Sequence, residues 1–228
     1  MAAFFFILIL VILAFCVFGG SLEQSSLNSN PFSILIPKDK NQVRGVAGEN
    51  AVYYKLLSKY NIPSDQIFRN VYVPDKNGKT SEIDIVAVTN KGLFVFECKN
   101  YAGNIYGDAK KEKWIQYVGN KKSFFYSPIL QNKKHCKVLS NYLVEFGAIP
   151  TISVIATTDR GNWKLNNLEP ADCILGYNCS FEEIYGALSD DPETIASKER
   201  IKDILYILSN PSQSIKEKHI ASVLENRR

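Results

Sequence analysis

The chain has no internal repeat, no CxxC spacing and no large excess of charge. Without a repeat, solenoids and propellers drop out. The five cysteines, Cys16, Cys98, Cys136, Cys173 and Cys179, form an odd set with no metal-finger spacing. Neither a disulfide framework nor a zinc site is expected, in keeping with a reducing compartment. A net charge of +4 is too small for composition alone to announce a nucleic-acid binder. Nothing basic except the amino terminus precedes the apolar block at residues 2–18. That lack argues against a secretory signal peptide, which needs a basic n-region.

The block itself, AAFFFILILVILAFCVF, contains no charge and no proline. Seventeen or more residues at about 1.5 Å rise reach roughly 26 Å, enough to cross a bilayer core. Residues 1–20 are therefore expected to be a retained single-pass transmembrane anchor. Lys38, Lys40 and Arg44 follow it, so the positive-inside rule places the remaining chain on the cytoplasmic side. Residues 21–36 read as a linker, polar through SLEQSSLNSN. Roughly 200 residues remain, a normal size for one domain with one core. Residues 37–160 carry every recognisable motif, and 161–228 read as a mostly helical C-terminal extension.

Helical periodicity runs over Val43–Tyr60 and Pro128–Phe146, the second with Ser127 as N-cap and Pro128 at the first helical position. Ile67–Val73, Glu82–Thr89, Leu93–Lys99 and Thr151–Ala156 read as strands, with a shorter one at Asp172–Leu175. Asn90-Lys91-Gly92 and Gly119-Asn120 mark hairpin turns. The tail from Phe181 to about Leu224 is mostly helical. Helix, antiparallel hairpin, helix and strand in that order predict an α/β class: a mixed central sheet with flanking helices.

The hairpin carries the chemistry. A turn centred between Asn90 and Lys91 sets Asp84 across from Glu97, with Cβ atoms about 4.5–5.5 Å apart. Glu97 and Lys99 are two apart on one strand and share its face. Asp84, Glu97 and Lys99 then converge on strands otherwise made of Ile, Val, Leu and Phe. Two facing carboxylates repel unless a cation lies between them. Mg²⁺ or Mn²⁺ would resolve the conflict, taking carboxylates, waters and phosphate oxygens. The metal would polarise a phosphate and acidify a bound water, and the Lys99 ammonium would stabilise developing charge. A plain cross-strand Glu–Lys pair is the competing reading. Pro74-Asp75 is a decoy, because it lies in the turn before Lys76-Asn77-Gly78.

Two helices add inward polar groups. Glu49 shares an apolar face with Val46, Val52, Tyr53 and Leu56, and Gly45 and Gly48 beside it permit close backbone approach. A capping or salt-bridge role competes with a catalytic one there. Gln131 and His135, at i and i+4, lie on the buried stripe of the later helix. His135 reads as a satisfied core histidine, and Gln131 reads equally as a helix-start hydrogen bond.

These pieces together resemble the nuclease-related domain (NERD) family of the PD-(D/E)xK, restriction-endonuclease-like superfamily. The matching segments are Gly45-Val-Ala-Gly48-Glu49, Glu82-Ile-Asp84-Ile-Val86, Gly92-Leu-Phe-Val-Phe-Glu97-Cys-Lys99-Asn100-Tyr101, Gly103-Asn-Ile-Tyr-Gly107, Trp114 and Ser127-Pro128-Ile-Leu-Gln131-Asn132 with His135. They run in family order over about half the chain. Glu82 and Ser127 depart from the family's usual neutral polar residue and Asn. The resemblance implies a restriction-endonuclease-like fold and a metal-dependent nuclease acting on DNA in preference to RNA. It implies Glu49, Asp84, Glu97, Lys99 and Gln131 as active-site residues, with Asp84, Glu97 and the Cys98 backbone carbonyl as metal ligands. It also gives weight to the segment Lys110–Lys137, where eight lysines accompany one acid, Glu112. Lys110, Lys111, Lys113, Lys121, Lys122, Lys133 and Lys134 would hold phosphates, and Trp114, Tyr117, Phe124, Phe125 and Tyr126 would stack on bases. A solvated lysine face over ordinary hairpin packing is the alternative. The rivals to catalysis are a silent nucleic-acid- or protein-binding module of the same fold and a membrane-tethered scaffold.

Overall fold

The computed structural model describes residues 40–225, with side chains from residue 43. The expected anchor over residues 1–20 and the linker over 21–36 lie outside the described residues. Among the described residues no helix is long and apolar enough to cross a membrane. Asp39–Arg228 forms one compact unit.

The chain runs α1 (Lys40–Ser58), β1 (Ile67–Pro74), β2 (Thr80–Thr89), β3 (Gly92–Lys99), β4 (Gly103–Asp108), β5 (Lys113–Val118), β6 (Lys121–Tyr126), α2 (Pro128–Tyr142), β7 (Thr151–Thr157), β8 (Gly161–Asn166), β9 (Cys173–Leu175), α3 (Phe181–Ala187), α4 (Pro192–Ser209) and α5 (Gln213–Glu225). The main sheet has the order β1-β2-β3-β7-β9. Its first three strands are antiparallel, and β7 and β9 join in parallel. The long return from β3 to β7 passes through β4, β5, β6 and α2; those three strands, joined by β8 from beyond β7, form a second sheet in the order β6-β5-β4-β8.

The main sheet is covered on both faces, which is why β3 is a continuous apolar run rather than an alternating one. On one face Val86, Val88, Leu93 and Val95 pack with Leu139 of α2 and Leu205 of α4. On the other, Ile85, Phe94 and Phe96 pack with Leu56 of α1 and Phe181 of α3. Each such buried side chain contributes about 1.5–3 kcal/mol. Ile105, Trp114 and Trp163 form a third cluster that joins the small sheet to Ile155 and Ile174 of the main one. Ser127 caps α2 as expected, accepting from the Leu130 N–H at 3.4 Å, and Pro128 opens the helix. The helix stops at Tyr142, and a separate turn of 3-10 helix spans Val144–Phe146.

Two expectations are corrected. The architecture holds two mixed sheets, not one: β4 and β8 break any apolar pattern with glycine, asparagine and a charged residue each, so neither shows a strand signal of its own. Residues 161–228 hold α3, α4 and α5 and also two strands: β8 completes the small sheet, β9 completes the main sheet, and α4 covers one core face. Cys173 and Cys179 form a disulfide, with Cα atoms 5.7 Å apart, where none was expected. An odd count says nothing of proximity. Here the turn after β9 returns the chain to its own strand end, where Gly176 N–H donates to the Cys179 carbonyl.

Candidate active site

The β2–β3 register agrees with the sequence. Thr89 pairs with Gly92 and Ile85 with Phe96, leaving Asn90 and Lys91 as the turn. Gly92 has φ 123°, and a Cβ there would meet the Pro150 carbonyl oxygen at 2.4 Å, so no other residue closes this turn without a shift.

The ladder ends at Ile85–Phe96, one pair short of Asp84 and Glu97. On the other side, the β1–β2 ladder skips the Asn70–Asp84 position, and Asn70 has φ 51°. Facing alternation reverses there. Ile85 and Ala87 belong to the core under α1, whereas Ile83 joins Val86 and Val88 in the opposite core. Asp84 therefore turns toward β3, and its Oδ2 accepts from the Cys98 N–H at 2.7 Å. The side chain takes the place of the missing ladder partner.

Glu97 is 1% exposed. Its Oε1 accepts from the Lys99 ammonium. Its Oε2 lies 3.3 Å from His135 Nδ1, but the alignment is poor and both atoms lack a hydrogen-bond partner. Burial pushes the Glu97 carboxyl up, yet the charge of Lys99 and the contact with His135 outweigh it and hold the group below its usual range. Asp84 has the opposite fate. Burial first, then the charge of Glu97, holds its carboxyl well above the usual range. Burial alone would lower Lys99, but Glu97, Tyr101 and Asp84 raise it above its ordinary value and keep it charged. One carboxylate is thus compensated and the other is frustrated.

Glu49 approaches from α1. It lies 3.6 Å from the Arg69 guanidinium on β1, and burial raises its carboxyl against that pull, with Glu82 and Glu97 adding to the rise. Gly48 permits the approach of α1, since a Cβ there would sit 3.0 Å from the Asn100 Cβ. Gly45 has open space instead and plays no such part. Among the described residues no three His, Cys, Asp or Glu side chains are grouped to hold a metal, though the Glu49 charge is felt at Asp84. Gln131 and His135 line a cleft of about 500 Å³ together with Lys134, Glu82 and His219.

Lys99 opens on a second cleft of about 530 Å³, lined also by Arg44, Asn100, Gln116, Lys121 and Arg160. Arg44 and Arg160 had no motif to mark them, being 55 and 61 residues from Lys99 in the chain. Asn132, matched by motif but given no role, is fully buried. Its amide donates to the Val95 carbonyl at 2.8 Å and to Ser153 Oγ at 2.9 Å. It pins α2, and with it Gln131 and His135, to the strands that carry Glu97.

Lys110, Lys111, Lys113, Lys121, Lys122 and Lys134 are exposed. Lys133 is held 2.7 Å from Asp172. Trp114 corrects the sequence reading: it is 1% exposed and its Nε1–H donates to the Asp108 carbonyl at 3.0 Å. Stacking on a base would require removing it from the core. Asp75 confirms its reading as a decoy, since its Oδ1 caps the turn by accepting from Asn77 and Lys79 N–H groups at 2.8 and 2.9 Å.

Comparison with known proteins assigns the chain to a family. The nuclease-related domain family matches residues 44–158, which contain Glu49, Asp84, Glu97, Lys99 and Gln131. An uncharacterised protein of Bacillus anthracis is 30% identical over 190 residues, covering 83% of this chain and 88% of the relative. No solved structure matches the chain. The chain belongs to the nuclease-related domain family.

Proposed function

We propose that this protein is a divalent-metal-dependent nuclease that hydrolyses phosphodiester bonds in DNA. We place it in the PD-(D/E)xK superfamily, with Asp84, Glu97 and Lys99 as the motif residues. The observation that carries this reading is the pair of unlike carboxylates at one point of a buried hairpin. Asp84 is held well above its ordinary pKa, and Glu97 keeps one buried oxygen without a hydrogen-bond partner. Such a donor set suits Mg²⁺ or Mn²⁺, which take oxygen ligands and tolerate few of them from protein. Asp84, Glu97 and the Cys98 carbonyl would hold the ion, which when bound polarises a phosphate and acidifies a water.

The chain's own groups supply the rest. Lys99 lines the basic cleft, where its ammonium can take a phosphate oxygen and stabilise charge that develops there. Arg44, Lys121 and Arg160 surround the same cleft and would hold flanking phosphates. Asn132 ties α2 to β3 at Val95, which holds His135 beside Glu97 Oε2. We also propose that residues 1–20 anchor the chain in a membrane with the domain on the cytoplasmic side, on the strength of the uncharged apolar run and the basic residues after it.

A silent nucleic-acid-binding module is the second reading. It is favoured by the Lys99 ammonium, which already neutralises Glu97. Incubating the full chain with supercoiled plasmid and a single-stranded circle separates the two. Nicking with Mg²⁺ or Mn²⁺ that disappears in EDTA and in the Asp84→Asn variant is the expected result. Binding of nucleic acid without cleavage under any divalent metal would hand the case to the silent module.

A further inference from the structure

The small sheet has an outer face that no element of the described chain covers. Cross-strand register identifies its members: Tyr117 pairs with Lys122, Ile115 lies between Phe124 and Tyr106, and Tyr106 pairs with Lys164. The opposite parity, Ile105, Trp114, Phe125 and Trp163, is turned into the core. Four aromatic rings thus lie on one open face. Phe124 is 63% exposed, Tyr126 48% and Tyr106 39%. Tyr106 and Tyr117 meet edge to face at 5.8 Å. Lysines sit among the rings: Lys122 lies 5.1 Å from the Phe124 centroid and 5.8 Å from Tyr117, and Lys164 lies 5.2 Å from Tyr106. Monomeric soluble proteins rarely leave several large rings exposed side by side without using them.

We propose that this face binds a single-stranded nucleic acid, with bases stacked on Phe124, Tyr126, Tyr117 and Tyr106 and phosphates held by Lys122 and Lys164. The argument is one of complementarity. Bases in a single strand offer free π-faces to exposed rings, and interleaved ammonium groups meet the phosphates between them. Duplex DNA hides its base faces and would use the lysines alone. Three strand spacings of about 4.8 Å give the platform a width of roughly 14 Å, room for a few nucleotides. The same β5–β6 hairpin turns Gln116, Lys121 and Ser123 to its other side, where they line the cleft at Lys99. A strand passing the hairpin tip would go from the platform to that cleft. This deepens the nuclease reading by naming the form of the substrate, but it needs no catalysis.

The test is fluorescence anisotropy of the full chain in EDTA, with labelled oligothymidylate, oligouridylate and a blunt duplex of equal length. Single strands should bind more tightly than the duplex. Phe124→Ala and Tyr126→Ala, both at exposed positions, should each weaken single-strand binding by about 5- to 150-fold while leaving the weaker duplex binding nearly unchanged. Lys122→Ala should lower the salt dependence for every probe. The two single strands distinguish DNA from RNA as the source. Equal affinity of wild type and both aromatic variants for single strands, preference for the duplex, or no binding of any probe overturns the proposal. Because the measurement excludes divalent metal, a protein that binds but never cleaves sinks the nuclease reading and leaves this one standing. Cleavage of duplex plasmid by both aromatic variants at the wild-type rate, with unchanged single-strand affinity, does the reverse.

Discussion

Replacing Asp84 by Asn isolates the charge conflict at the centre of the site. The amide keeps an oxygen for the Cys98 N–H, which the carboxylate now accepts at 2.7 Å, so the hydrogen bond survives while the charge beside Glu97 goes. Burial, and then Glu97, hold the Asp84 carboxyl well above its ordinary value, with Lys99 and the Cys98 N–H offsetting part of the rise. Each pKa unit of such elevation costs the ionised folded state about 1.4 kcal/mol relative to the unfolded chain. A carboxyl whose folded pKa exceeds its unfolded one binds the proton more tightly when folded. Its penalty is therefore complete above the folded pKa and fades as pH falls from there toward the unfolded pKa. Without metal, the Asp84→Asn protein should be more stable than wild type at pH 8 by roughly 1–3 kcal/mol, the usual scale for an incompletely compensated buried group. For a chain of this size that is about 2–4 °C in Tm per kcal/mol. The gap should narrow as pH is lowered from 8 to 4. Mg²⁺ should act the other way, since saturation at a hundredfold over Kd stabilises wild type by about 2.7 kcal/mol and the variant hardly at all. Circular-dichroism melts of the full chain across that pH range, in EDTA and in MgCl₂, read all three effects. A variant less stable than wild type at pH 8 in EDTA, or a wild type whose Tm ignores Mg²⁺, refutes the account of Asp84 as a frustrated metal ligand.

Three other outcomes follow from particular contacts. Lys99→Ala leaves Glu97 buried without its counter-ion and should cost about 3–5 kcal/mol in urea unfolding; adding Glu97→Gln should recover much of that, and no loss in the single variant would mean the pair is not formed. Trp114→Ala should cost about 3–5 kcal/mol as a core truncation, with thermal stability falling before nucleic-acid affinity does; a stable protein with selectively lost affinity would return Trp114 to the binding surface. In cells, a cytoplasmic domain keeps Cys173 and Cys179 as thiols open to a permeant maleimide under denaturing quench, whereas persistent protection that reductant removes would place the domain on the oxidising side of the membrane.

Much of the site was legible because it is local. The two-residue turn at Asn90-Lys91, the period-2 spacing of Glu97 and Lys99, and the i, i+4 spacing of Gln131 and His135 depend only on backbone periodicity. Distances between segments lay beyond the sequence. His135 is buried, as a core histidine should be, but only the seating of α2 brings its Nδ1 within 3.3 Å of Glu97 Oε2. The sequence left Lys99 either as a charge stabiliser or as one half of a Glu–Lys pair, and only the tertiary contact shows it paired with buried Glu97. Arg44, Lys121 and Arg160 meet around one cleft from three separate segments, α1, β6 and the turn before β8, so no spacing rule could have joined them.

The sequence by itself determined the α/β class, the central hairpin and its register, the capped start of α2, and the identity of the acidic and basic groups at the centre. Each is a matter of side-chain periodicity and turn chemistry within some twenty residues. Tertiary structure alone decided that β8 and β9 complete two different sheets, that Cys173 meets Cys179, and that Trp114 is core while Phe124 is surface. It also decided that Asp84 leaves the ladder to reach the Cys98 N–H, because the irregularity at Asn70 on the neighbouring strand reverses the facing of β2 at that point. Pairing between distant segments, and the low-dielectric surroundings it creates, set which of the two carboxylates is compensated by Lys99 and which is not.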